Sequence, residues 1–332
     1  MVGCPFPLGA RALDTLHKKR IVLVTGKGGV GRSSITTALA QLAHTRGVRP
    51  LIAEIGDDPE DYSPLARHFG RDRLPTTPEE LAPGIRGVVL LARTGQELFL
   101  RTVLRSSTLS RAALSSDVLR RLLSAGPSFR EMGVFFQLLS YLDARTEDDR
   151  VEYPLILVDM PATGHTLSLT GLPDLLLRLI PRGPIADALR AGQGYLNDPE
   201  KAAAWVVTLP ETLPVSESLE LIEGLERTKM PVGGVLLNRM PKDPYTAEER
   251  AALTPLLTGN DVLGTDSFRK PLLAAREAAR LRASTSTRRY PLSEVPHTRL
   301  IAARTEELSH AKPLEAAARS STGASAPSGH TP

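Results

Sequence analysis

The run Gly26-Lys27-Gly28-Gly29-Val30-Gly31-Arg32-Ser33-Ser34 constrains this chain more than any other segment. It lies between an apolar, β-branched stretch, Ile21–Thr25, and a helical pattern over 33–46. Glycines let such a turn wrap tightly, so that its backbone N–H groups and the N-terminus of the following helix point at phosphate oxygens. The full phosphate-loop pattern is GxxxxGK[ST]. Gly26, Gly31 and Ser33 fit it, but the lysine position holds Arg32. Ser33 stands where a loop hydroxyl ligates Mg²⁺. The strand before, the helix after and the second basic residue, Lys27, support a phosphate-binding reading of Gly26–Ser34.

The rest of the chain alternates short apolar runs with helical patterns, which predicts βαβ units around a mostly parallel sheet. Strands are expected at 20–25, 50–55, 87–92, 154–159, 204–208 and 232–238, and helices at 33–46, 215–228, 246–256 and 268–282. Runs such as LILVD and GGVLLN are continuously apolar, as in strands covered on both faces. The segments 94–145 and 167–196 read as helical without intervening strands, and so as a helical subdomain inserted into the sheet domain. Residues 1–18 form a Gly/Pro-rich N-terminal arm, 19–311 the main domain, and 312–332 a Ser/Gly/Ala/Pro-rich tail expected to be disordered. The fold class is α/β.

Two acidic positions join the loop. Asp159 ends the apolar run Leu155–Val158, and a carboxylate at the carboxyl end of a parallel strand faces the crevice where such sheets bind ligands. It suits a water-mediated Mg²⁺ ligand. The segment after it, MPATGHTLSL, reads as a polar loop, Thr163–Thr166, sensing a terminal phosphate. Asp58, in Asp57-Asp58-Pro59 directly after the second strand, can orient an attacking water, although Asp-Pro is also an ordinary turn pair.

Taken together, GKGGVGRSS, GDDPEDYS and DMPATGHTLSL resemble the ArsA/guided-entry family of anion-transporting and tail-anchored-protein-targeting P-loop ATPases. PSFREMGVFFQLLSYL, LPETLPVSESLELIEGL and GGVLLNRM extend the likeness over residues 18–305. The resemblance implies a three-layer P-loop NTPase with a mostly parallel sheet, as in MinD and the nitrogenase iron protein, working as a dimer on ATP and Mg²⁺. Within it, Lys27 is the signature lysine reaching the partner subunit's ATP. Asp58 positions water, Ser33 and Asp159 serve the metal, and Gly26 through Ser34 cradle the phosphates. Asn238 recognises adenine, with Pro291–Val295 as a loop over the base.

The chain departs from the family where chemistry is decided. Arg32 replaces a compact ammonium with a longer, planar guanidinium, which keeps the charge and weakens the fit. Two functions therefore stand side by side: a hydrolysing ATPase, as a homodimer, or a poorly active partner subunit paired with a lysine-bearing paralogue. Glu60, Asp61 and Tyr62 stand where the family prefers Ala, His and Asn. Cys4 is the single cysteine, so the thiolate cluster that As(III) requires and a zinc-bridged dimer are both excluded. A third function, a chaperone for hydrophobic client helices at the insertion, meets the objection that only Met132 of the five methionines lies there, where an adaptable cradle would be Met-rich. Its apolar positions, among them Phe99, Leu114, Leu119, Leu122, Leu123, Phe135 and Phe136, equally suit helices burying one stripe against their own sheet.

Composition excludes more than it assigns. Forty-one Lys and Arg against 37 Asp and Glu, without interleaved aromatics, make no nucleic-acid platform. No apolar run reaches the ~18 residues of a membrane-spanning helix, and the first twenty residues lack a secretory core, so a cytoplasmic location is expected.

Overall fold

The computed structural model describes residue 16 and residues 18–104, 127–161, 163–253, 255, 266–288 and 290–296. The expected tail, most of the N-terminal arm, and Leu114, Leu119, Leu122 and Leu123 lie outside these.

The chain runs β1 (Ile21–Gly26), α1 (Arg32–Thr45), β2 (Pro50–Gly56), α2 (Pro64–Arg67), β3 (Glu79–Ala82), β4 (Ile85–Leu91), α3 (Ala92–Leu104) and α4 (Pro127–Leu142). There follow β5 (Leu155–Asp159), α5 (Thr163–Leu179), α6 (Pro184–Leu196), β6 (Ala202–Thr208), α7 (Thr212–Arg227), β7 (Val232–Met240), α8 (Ala247–Leu253), α9 (Asp266–Thr287) and β8 (Leu292–Pro296). One eight-stranded sheet has the order β3-β4-β2-β5-β1-β6-β7-β8. Every pairing is parallel except β3 with β4. The α/β, mostly parallel architecture is therefore the one the sequence predicts.

Each central strand feeds two cores because successive side chains alternate faces. Val22, Val24, Ile52, Leu155 and Leu157 pack with Ile35 and Leu39 of α1 and Leu65 of α2. Leu23, Ala53, Ile156, Val158 and Val206 pack on the other face with Phe135, Leu172, Leu189, Ile222 and Leu281, from α4, α5, α6, α7 and α9. The result is three layers. Phe99, Phe135 and Phe136 point inward, with ring centroids 5.1 Å apart for Phe99–Phe136 and 6.0 Å for Phe135–Phe136.

Helices α3 and α4 meet backbone to backbone. A Cβ on Gly95 would come within 1.6 Å of the Gly133 carbonyl oxygen, and one on Gly133 within 2.2 Å of the Ala92 oxygen. No other residue type fits that crossing.

Three expectations are corrected. β3, with sequence EELA, is an edge strand too polar to stand out as a strand. Pro291–Val295 is not a loop: Leu292–Pro296 forms β8, paired to β7 with Leu292 opposite Val235. Its flanking prolines read as loop signals, whereas in the fold they bracket an edge strand. Thr163–Thr166 is not a loop either but the first turn of α5, since Thr166 is buried and shares a 2.7 Å hydrogen bond with Thr25 of β1. Among the described residues, no helix is long and apolar enough to cross a membrane.

Candidate functional site

The parallel strands aim their carboxyl ends at one edge of the sheet, where an open α/β fold places its ligand crevice. β1 ends there at Gly26, β5 at Asp159 and β7 beyond Asn238. The glycine loop leaves β1 and turns into α1 through left-handed residues, Gly29 at φ 79° and Gly31 at φ 91°. Gly28 and Gly29 border open space, so the loop's outer surface is free to accept a ligand. Val30 is buried and anchors the loop from below.

Arg32 opens α1, and its Nη1 donates to the carbonyl of Gly26 at 2.8 Å, closing the loop on itself. Burial pulls the Arg32 pKa below the usual guanidinium value, while the charges of Asp159 and Glu54 oppose that shift. Ser33 sits close enough to Asp159 for its hydroxyl to pull that carboxyl's pKa down. Ser34 turns away, its hydroxyl 3.2 Å from His68 Nε2 at the end of α2.

Asp159 is 5% exposed, and its Oδ1 has no hydrogen-bond partner. Burial pushes its carboxyl up to about 7, against the pull of the Ser33 hydroxyl and the Arg32 charge, with Glu54 adding a smaller upward push. An orphaned buried carboxylate oxygen beside the Ser33 hydroxyl fits a hard divalent cation completed by water and phosphate oxygens. Among the described residues there is no group of three or more His, Cys, Asp or Glu that would hold a metal unaided.

The other expected residues are placed as follows. Lys27 pairs with Glu217 of α7. Asn238 is 1% exposed; its Nδ2 donates to the Val30 carbonyl at 2.8 Å, and its Oδ1 accepts from the backbone of Arg239 at 2.9 Å. A Cβ on Gly31 would reach within 2.6 Å of that Nδ2, so Asn238 braces the loop directly. Asp58 is exposed, and its hydrogen bonds run within its own turn: Oδ1 accepts from Glu60 N at 2.8 Å, and its N–H donates to Asp61 at 3.0 Å. The fold thus gathers Gly26–Ser33, Asp159 and Asn238, while Asp58 makes no described bond to them.

Several neighbours escape motif reading. Glu54 interrupts the apolar run of β2, which is the signal that could have exposed it. Adjacent residues of α4 reach both flanking segments: Arg130 pairs with Asp57, and Glu131 hydrogen-bonds His165 Nδ1 at 3.1 Å. Beyond Asn238, at the ends of β6 and β7, a cavity of about 750 Å³ is lined by Pro210, Glu211, Arg239, Pro241, Lys270 and Glu277, among others. Arg239 adopts a left-handed backbone there, φ 56°.

A mostly parallel sheet whose first strand runs through a glycine loop into a helix, with a buried aspartate ending a neighbouring strand, is the architecture of a P-loop NTPase fold. The family model of the anion-transporting ATPases matches residues 19–182, and this segment is similar to the ArsA family. It is 29% identical to ATPase BagA of Mycobacterium tuberculosis over 228 residues, 66% of this chain and 65% of that one. The match therefore spans slightly under two thirds of the mycobacterial relative. It is 24% identical to ATPase GET3 of Komagataella phaffii over 268 residues, 69% of this chain and 75% of that protein.

Proposed function

We propose that this chain binds Mg-ATP through Gly26–Ser34 and hydrolyses it at an interface between two subunits, driving a conformational cycle. The observation that carries this reading is the orphaned Oδ1 of buried Asp159 next to Ser33, beside the open glycine loop. Ser33 and Asp159 would hold the metal, which supplies positive charge to the phosphates when bound. The backbone N–H groups of the loop and the N-terminus of α1 bind the phosphate oxygens. Arg32 adds a fixed positive charge beneath them. Lys27 is the residue for the partner subunit's nucleotide, and Asp58 the one that orients water. The cavity lined by Arg239, the residue after Asn238, takes the nucleoside. The cycle belongs to a homodimer in the cytoplasm.

A second reading is favoured by one observation: the Arg32 guanidinium is committed to the Gly26 carbonyl. On this reading the chain is a nucleotide-binding, weakly active subunit of a heterodimer with a lysine-bearing paralogue. A third, a chaperone for apolar helices, draws on Leu175 and Leu179, one turn apart on α5 and about half exposed at 50% and 49%.

Titration of a fluorescent ATP analogue with Mg²⁺ tests the site. The wild type is expected to bind and Gly31→Arg to fail, because that side chain would enter the space of Asn238. Equal binding by both would place the nucleotide elsewhere. Phosphate release by the wild type and Arg32→Lys then separates the first two readings. Turnover by the wild type alone, maintained or raised by Arg32→Lys, supports the first; turnover only after mixing with a lysine-bearing partner supports the second.

A further inference from the structure

A carboxylate that continues a buried strand needs a reason. Leu51, Ile52 and Ala53 of β2 are wholly buried, and Glu54 continues them. Burial raises its pKa, against hydrogen bonds from Ser63 and Leu65 and the charge of Arg32. Its Oε2 accepts from Ser63 Oγ at 2.6 Å and from Leu65 N at 3.3 Å. Ser63 Oγ also caps α2 by accepting from Ala66 N at 2.9 Å. Those bonds offset desolvation, but an apolar residue would avoid the cost altogether.

Strand register shows what else Glu54 serves. It pairs directly with Asp159 across β2 and β5. Two residues earlier on the same faces, Ile52 and Leu157 both pack against the α1 layer. Glu54 and Asp159 are therefore side by side beneath the start of α1, which is Arg32. A guanidinium presents five N–H donors in a rigid plane, whereas an ammonium presents three that rotate freely. The Gly26 carbonyl accepts one of the five.

We propose that Glu54 is the positioning residue that fits this phosphate site to arginine: with Asp159 it forms a carboxylate pair under α1 whose charge, without a direct ion pair, favours the Arg32 guanidinium in the loop, and through Ser63 it ties that charge to the segment carrying Asp58. The proposal rests on the nucleotide-binding reading. It assigns no contact between Glu54 and the nucleotide itself. Lysine in place of Arg32 would need the second carboxylate much less, so the two positions should be energetically coupled.

A double-mutant cycle over wild type, Glu54→Gln, Arg32→Lys and the double variant tests this. Glutamine keeps an oxygen for Ser63 and Leu65 while removing the charge. Affinity for a Mg²⁺-bound, non-hydrolysable ATP analogue is expected to fall about tenfold with Glu54→Gln alone and less than about threefold when Arg32→Lys is also present. Glu54→Asp, which keeps the charge, should retain most of the wild-type affinity. Denaturant unfolding of the four ligand-free proteins provides a second cycle, with a larger destabilisation by Glu54→Gln in the arginine background. Equal losses in both backgrounds, in affinity and in unfolding, would overturn the proposal and leave Glu54 a structural partner of Ser63. If no variant binds the analogue, the nucleotide reading falls, while the unfolding cycle still decides whether Glu54 and Arg32 are coupled. If Glu54→Gln does not fold, Ser63→Ala serves as its counterpart: it keeps the Glu54 charge but cuts the tie to α2. It should then spare the arginine-dependent affinity, and a tenfold loss would count against the proposal.

Discussion

Lys27 is held within its own subunit by Glu217, which reaches the glycine loop from helix α7. The Lys27 side chain is 47% exposed, and an ion pair this open contributes at most about 1 kcal/mol. The contact is thus exchangeable. Glu217 also keeps a buried, unpartnered Oε2, so the pair satisfies only half of that carboxylate. If Lys27 acts on a partner's nucleotide, it must first leave Glu217. Glu217→Gln is expected to raise phosphate release by roughly two- to fivefold at protein concentrations where dimers are scarce, with analogue affinity unchanged. Lys27→Ala should abolish release. Rates measured against protein concentration check both, and a Glu217→Gln rate equal to wild type throughout would show that the pair restrains nothing.

Asp58 offers a cleaner separation of chemistry from folding. Its carboxylate caps its own exposed turn. Asp58→Asn keeps an oxygen for the Glu60 N–H, so stability should change by less than about 0.5 kcal/mol. Analogue binding should persist while phosphate release falls by about 10²-fold or more, because water orientation matters only in the chemical step. Parallel titration and single-turnover assays read the two effects. Loss of binding together with hydrolysis would show that Asp58 shapes the site rather than the reaction.

The glycine loop, Asp159 and the parallel strands were legible because each leaves a local mark: a run of glycines, a carboxylate closing an apolar run, and strands apolar on both faces. The partners of those residues were not. Glu54 comes within electrostatic reach of Arg32 only because α1 folds back over β2, and Glu217 meets Lys27 across a separation of 190 residues. Nothing local to either residue announces that meeting. β8 was missed because Pro291 and Pro296 resemble loop punctuation, although prolines are tolerated at a sheet edge. Thr166 looked like loop chemistry, but its hydroxyl is used inside the fold, against Thr25. The division into main domain and helical subdomain was read from the absence of strands. In the fold, Phe135 of α4 and Val158 of β5 belong to one continuous core.

Asp159 makes stability depend on pH with a definite sign. Its folded pKa, about 7, lies above the ordinary 3.8. Between those values the folded state holds a proton that the unfolded state has lost, so stability falls as pH rises from about 4 to about 7. Asp159→Asn removes this penalty. In metal-free buffer the variant should be more stable than wild type at pH 8, by up to a few kcal/mol, and should match it near pH 4. Denaturant melts at the two pH values measure the difference, and an unchanged difference between them would deny the shift. Addition of Mg²⁺ with nucleotide at pH 8 should stabilise the wild type and not the variant, since the cation favours the charged carboxylate.

The crossing of α3 and α4 makes a stability prediction independent of any ligand. Gly133→Ala would drive a methyl group to within 2.2 Å of the Ala92 carbonyl oxygen, a backbone atom that cannot swing aside. The variant should lose about 2 kcal/mol or more, the usual cost of overpacking a tight contact. Gly194→Ala on α6 is the control, because a Cβ there meets nothing within 4 Å. It should be neutral or slightly stabilising through helix propensity. Unfolding midpoints of the two variants give the comparison, and equal midpoints would show that the helices can separate at no cost.

Helix α4 touches both segments that flank the site, through two adjacent residues. Arg130 pairs with Asp57, the neighbour of Asp58, and Glu131 bonds His165 in the first turn of α5, six residues beyond Asp159. Glu131 is 7% exposed and its second oxygen has no partner, so the His165 contact carries nearly all its compensation. The two contacts differ in kind: the Asp57 side chain is 69% exposed, while Glu131 is anchored in the core layer. A nucleotide that moves either flanking segment would pull on α4 through one of them. Hydrogen exchange along α4 is therefore expected to change on adding Mg²⁺ and the ATP analogue. Arg130→Ala should weaken that response with little loss of stability, because an exposed pair is worth little. Glu131→Gln should keep the fold, since glutamine can still accept from His165, and should reduce the response through the α5 side. The double variant should abolish it while analogue affinity stays within about threefold of wild type. A response that survives in the double variant would mean that α4 senses the site by another route, through the Phe135 and Leu172 packing beneath it.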